Sequence, residues 1–152
     1  MLFRSLKKHG GVSVHCPDAT TNVIAGIMPA YNMLRGGQKL AIGSDVGAGS
    51  AVPVYRQIAS AVRLSKLKEF YEPDNSKLSF PQAFYMGTKG GGSVFDRVGS
   101  LEEGYRLNAL VLDGLDYDVC KLSPAERLER FCYTGDERNI TARYLDGRRI
   151  TL

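Results

Sequence analysis

Leu40-Ala41-Ile42-Gly43-Ser44-Asp45-Val46-Gly47-Ala48-Gly49 is the stretch around which the rest of this chain makes sense. A short apolar run that ends in an acid and a glycine-rich turn places one carboxylate at the carboxyl edge of a sheet. Parallel sheets bind their ligands at that edge. Gly47 and Gly49 let the backbone turn sharply there and come close to a ligand. The same residues fit a plainer role too, with Asp45 capping the next helix and the glycines only forming a loop.

Working upstream, residues 2–9 set Leu2, Phe3 and Leu6 on one helical face, with Gly10-Gly11 as a stop. Val12 to Cys16 reads as a strand halted by Pro17, and Asp18 to Asn22 as a loop in which Thr20, Thr21 and Asn22 form local hydrogen bonds. Pro29 and Gly36-Gly37 bracket a helix with Ile27, Tyr31 and Leu34 at core spacing.

Downstream, Pro53 opens a long helix running to about Glu69, with Val54, Ile58, Ala61, Val62 and Ser65 on one face and Arg56, Arg63, Lys66 and Lys68 left wet. Residues 72–76 form a polar loop. Ser79 and Gln82 make a capping box for a helix carrying Phe80, Ala83, Phe84 and Met86. Gly90-Gly91-Gly92 is expected to stop it. That triplet lacks the Lys-Ser/Thr of a phosphate-binding loop and follows a helix rather than a strand. Ser93 to Phe95 make a short helical turn. Beyond Val98 the pattern predicts a turn-rich link, a strand at Leu107–Leu112, a second capping box at Ser123 and Glu126 with a helix to about Tyr133, and a helical turn within 136–142. Asp146-Gly147 between Arg143-Tyr144-Leu145 and Arg148-Arg149-Ile150 is a type I′ hairpin signal.

Composition narrows the function classes. Hydrophobic content of 43% and charged content of 24% are those of an ordinary globular protein. The net charge of +4 is spread along the chain, so it argues for a wet surface and against nucleic acid as a partner. The three cysteines, at 16, 120 and 132, form no C-x-x-C pair, which fits a reducing cytoplasm and gives no cysteine zinc site. No run approaches the roughly 18 apolar residues of a membrane span.

Two strand–helix units give two parallel strands, and a closed eight-fold barrel takes roughly 250 residues. The chain is therefore expected to be part of something larger. Resemblance says of what. His15-Cys16-Pro17, Gly26-Ile27-Met28-Pro29 and Gly43 through Gly49 resemble the last barrel strands of the amidohydrolase superfamily, and within it the guanine-deaminating branch. The likeness continues in the same order through residues 83–92, 97–105, 126–131 and 135–140, and so covers nearly the whole chain.

This resemblance implies an α/β fold made of the carboxyl-terminal βα units of a (β/α)8 barrel over residues 1–97. Residues 98–152 would be the carboxyl-terminal part of a small β-sandwich with a helical insert. It implies a zinc-dependent hydrolase that, when complete, converts guanine to xanthine and ammonia. Asp45 would be both metal ligand and proton acceptor. His15 and Ser44 would stand beside the metal without ligating it. The Ser-Asn pair that usually follows the proline is replaced by Ala19-Thr20.

The H-x-H pair, two further histidines and the proton-shuttling glutamate of the family are not in this sequence, whose two histidines are His9 and His15. The isolated chain is thus expected to lack activity, to hold zinc weakly and to associate with itself, complete family members being dimers. Guanine or a related purine is the expected small-molecule partner, with no membrane partner. Rival readings are an aminohydrolase or chlorohydrolase acting on another heterocycle, a non-catalytic remnant, and one half of a split enzyme.

Overall fold

The computed structural model describes residues 2–73, 77–114 and 121–151. Two strands, β1 (Val12–His15) and β2 (Lys39–Ile42), pair in parallel with Val12 opposite Lys39 and His15 opposite Ile42. Helix α1 (Leu2–Lys8) precedes them, and α2 (Pro17–Asn22) and α3 (Ala30–Arg35) form the crossover between them. The run Leu40-Ala41-Ile42 is buried throughout, as a parallel strand covered on both faces should be.

The cover is α4 (Val54–Tyr71), which buries Ile58, Ala59, Ala61 and Val62 against β2. Val54, expected on that face, is 37% exposed at the start of the helix. Helix α5 (Phe80–Tyr85) begins at Ser79 with the expected capping box and adds Phe80, Ala83 and the following Met86 to the same core.

A second sheet runs antiparallel in the order β3 (Ala109–Leu112), β4 (Ile140–Leu145), β5 (Arg148–Ile150). Asp146 and Gly147 both have positive φ, 50° and 77°, as a type I′ turn demands. The amide of Asp146 donates to Asn108 Oδ1 at 2.8 Å, which ties the turn to the approach of β3. Between β3 and β4, α6 (Pro124–Thr134) starts at Ser123 with the second capping box and lays Phe131 on Tyr55, ring centroids 4.6 Å apart.

Three expectations are corrected. Residues 17–22 are helical, because Pro17 sits in the first turn and Thr20 and Thr21 turn their hydroxyls back onto the carbonyls of Cys16 and Pro17, at 3.0 and 2.8 Å. The triple glycine does not stop its helix, which continues through a π-helical stretch, Met86–Gly90, and on to a 3-10 turn at Ser93–Phe95. Its glycines serve close packing instead: a Cβ on Gly90 would lie 2.6 Å from the carbonyl oxygen of Leu40, and one on Gly92 would overlap the carbonyl of Val98. Within 136–142 only Glu137–Asn139 form a helical turn, and β4 begins at Ile140. Cys120 and residues 74–76 of the polar loop lie outside the described residues.

Candidate functional site

The amide of Gly43 donates to the carbonyl of His15 at 3.0 Å and so carries the parallel ladder one step past β2. Glycine is required there, since a Cβ would lie 2.8 Å from Val14 Cγ1 and 3.2 Å from Cys16 Sγ. Two residues on, Asp45 takes a left-handed conformation, φ 46°, which aspartate tolerates better than most residues. Its carbonyl then accepts from the amides of Gly49 at 2.7 Å and Ala48 at 3.2 Å, closing a tight loop. Gly47, with φ 117°, has a conformation open to glycine, and a Cβ on Gly49 would overlap the carbonyl of Ser44. The result is an exposed aspartate just beyond the end of β2, close enough to Cys16, which follows β1, for its charge to act on that thiol.

The other residues singled out in the sequence divide around it. Cys16 lies near Asp45: burial raises its pKa, the charge of Asp45 raises it further, and a backbone hydrogen bond from Gly43 opposes both. His15 behaves differently. It pairs with Ile42 and shares that strand's face, is 1% exposed, and has no partner for Nδ1. Burial lowers its pKa to about 4, so the ring is neutral. Ser44 is half-buried between Gly43 and Asp45. His9 is exposed beyond the end of α1, its Nδ1 2.8 Å from the carbonyl of Ser5.

A polar network beneath the loop escapes a reading of the sequence. Asp18 Oδ2 accepts from Ser50 Oγ and from Gln57 Nε2, each at 3.0 Å, and Oδ1 accepts from Ser60 Oγ. Gln57 Nε2 also donates to the carbonyl of Ala51 at 3.2 Å, and Asn22 Nδ2 donates to that of Ala48 at 3.0 Å. Partial burial would raise the pKa of Asp18, but the hydrogen bonds from Ser60, Ser50 and Gln57, with the charge of Arg63, hold it below the usual carboxylate range. The one signal in the sequence was the polar pair Gln57 and Ser60, three residues apart beside the apolar face of α4.

Among the described residues no group of three or more His, Cys, Asp and Glu could hold a metal ion. A catalytic zinc needs about three protein ligands, so Asp45 supplies one donor and the residues described do not by themselves fit the metal. A cavity of roughly 1030 Å³ lies elsewhere, between α4 and α5 on one side and β3 and β4 on the other, lined by Val54, Ile58, Phe84, Leu110 and Tyr144. Among the described residues no helix is long and apolar enough to cross a membrane.

A model of the Amidohydrolase family matches residues 1–150. The guanine deaminase of Dictyostelium discoideum is 26% identical over 148 residues, which are 90% of this chain and 32% of that protein. The crystal structure of a guanine deaminase from C. acetobutylicum with guanine bound in its active site superposes with a TM-score of 0.92 at 40% identity, over 98% of this chain and 36% of that one. An adenosine deaminase from Xanthomonas campestris with bound zinc shares the fold at a TM-score of 0.77 and 21% identity, over 97% of this chain and 34% of that one. The chain thus spans about a third of the length of the relatives it matches.

Proposed function

This chain belongs to the amidohydrolase family, and on that premise we propose that it supplies Asp45 to the active site of a zinc-dependent hydrolase that removes the amino group of guanine. The observation that carries the reading is one exposed aspartate, in a glycine-containing turn, just beyond the carboxyl end of the parallel strand β2. Likeness to guanine deaminases over nearly all of the chain supports guanine over other heterocycles.

The remaining ligands would have to come from elsewhere, and no step is assigned to the metal here. Asp45 itself would donate one carboxylate oxygen as ligand and accept a proton from the attacking water. His15, neutral and buried on the face of Ile42, would support β1 rather than ligate, and Ser44 would shape the turn. Residues 1–97 would form the last two βα units of the barrel and residues 98–152 the end of the β-sandwich. Exposed apolar side chains such as Phe70, Phe95 and Leu101 support self-association, and the free thiols of Cys16 and Cys132 support a cytoplasmic setting.

The test is a transplant. Residues 1–152 replace the matching third of the C. acetobutylicum guanine deaminase, and ammonia release from guanine is followed beside a panel of other amino-purines. The hybrid is expected to deaminate guanine, to lose on the order of a thousandfold or more when Asp45 becomes Asn, and the isolated chain to release no ammonia. A folded hybrid that works equally well with Asp45→Asn would remove Asp45 from the site. Preference for another purine would reassign the substrate.

A further inference from the structure

We propose that Asp18 is a positioning residue for Asp45, anchoring the turn that carries the acid to α2 and α4. The proposal rests on the reading of Asp45 given above for its link to catalysis, but its geometry stands on its own. The turn leaves β2 at Gly43 and rejoins regular structure only at Val54. Between those points the backbone hydrogen bonds among the described residues join Asp45 to Ala48 and Gly49 and Gly47 to Gly49, all within the turn. The ties to the body are side chains. Ser50 donates to Asp18, Gln57 bridges Asp18 and the carbonyl of Ala51, and Asn22 holds the carbonyl of Ala48.

Asp18 is the hub. Its two oxygens take three donors, one from the turn and two from successive turns of one face of α4, and its own amide points at Gln57 Oε1 at 3.5 Å. Gln57 is 0% exposed and Ser60 4%, so they present fixed donors rather than mobile surface groups. A neutral amide at position 18 keeps one acceptor oxygen, and its NH2 would have to donate to Ser60 Oγ, which already accepts from Arg63, so the amide loses the acceptor that Ser60 now uses and the charge that faces Arg63. The groups facing it are Thr21 and Asn22 from α2, Ser50 from the turn, and Ser60 and Arg63 from α4; Arg63 is the charged one among these. Arg63 also donates to Ser60 Oγ at 3.2 Å and so orients the hydroxyl that Asp18 accepts. Holding an active-site group on packed elements through such a second layer of contacts is what keeps it within the tolerance that chemistry needs.

Amide hydrogen exchange on the chain, resolved to single residues, reads this without any activity. In Asp18→Asn the amides of Ala48 and Gly49 are expected to exchange on the order of tenfold faster, the size of one lost hydrogen bond to a charged group, while Ala41 and Gly43 of the β2 ladder keep their rates. Ser50→Ala, which cuts one exposed link only, should move the same two amides in the same direction. With exchange corrected for its intrinsic pH dependence, protection of the turn should persist as pH falls through roughly 4, the ordinary carboxylate range, and fail below it; in Asp18→Asn that step should vanish. Unchanged rates at Ala48 and Gly49 in Ser50→Ala, or a uniform rise over every amide of the chain in Asp18→Asn with Ser50→Ala silent, would overturn the anchoring. A transplant insensitive to Asp45 would leave the anchoring in place and remove only its bearing on catalysis.

Discussion

The two sheets of this molecule are built from strands of similar length, yet only the parallel one holds an enclosed strand, β2, while its partner β1 buries His15 and leaves Val14 exposed. In β2 three of four residues are buried, whereas β3, β4 and β5 contain no buried residue. The parallel pair has α4 on its helical face and Gly90 pressed against the backbone of Leu40. The antiparallel meander offers the core only Leu112 and Ile140, and shows Leu110 and Val111 to solvent. Asp45 follows the enclosed strand. On the proposed role of Asp45, a group that must be held to a fraction of an ångström is carried by the best-packed part of the chain, and the open sheet marks where the chain's own residues leave apolar surface uncovered.

That contrast can be broken most forcefully at Met86, which is 0% exposed beside β2. Met86→Ala should cost roughly 2–5 kcal/mol by urea unfolding, as large-to-small changes in packed cores do. Leu110 is 50% exposed on β3, and Leu110→Ser should change stability by less than about 1 kcal/mol while reducing self-association in sedimentation runs. Equal losses at the two positions would mean that the meander is as well packed as the parallel pair.

His15 sharpens the comparison through pH. Its pKa falls from 6.5 to about 4 because burial strips it of water. Below pH 6.5 the unfolded chain takes up a proton that the folded chain refuses. Stability present above that value is therefore lost as pH falls toward 4, and the loss levels off below. The span corresponds to roughly 3 kcal/mol. His15→Leu should flatten the slope of unfolding free energy between those limits, and, because Nδ1 has no partner, should cost little at neutral pH. A slope that survives the substitution would assign it to another group.

Much of this was legible because it is local. The run Leu40-Ala41-Ile42 reads as a buried parallel strand, both capping boxes lie within four residues, and Asp146-Gly147 can hardly make anything but its hairpin. The errors have two causes, one local and one long-range. Asp18 to Asn22 carry side chains that compete with the backbone, and only Pro17 and the hydroxyls turning inward decide for a helix. The triple glycine is explained by Leu40, some fifty residues earlier in the chain. Asp18 meets Gln57 and Ser60 across separations of 39 and 42 residues, which no spacing rule reaches. The position of Asp45 beyond β2 could be read from its neighbours, but the contacts that hold its turn could not.

The smallest expected effect lies at Asp45, and it separates fold from chemistry. The residue is exposed and its φ is 46°. Asparagine accepts that conformation about as well as aspartate, whereas alanine meets the left-handed penalty of roughly 1–2 kcal/mol. On the isolated chain Asp45→Asn should therefore shift the unfolding free energy by less than about 0.5 kcal/mol, and Asp45→Ala should cost on the order of 1 kcal/mol. If Asn were as costly as Ala, the charge itself would be holding the turn together, and the carboxylate would no longer be free to serve a ligand. If both were silent, the turn would not be strained at this residue, and the choice of an acid there would rest on chemistry alone.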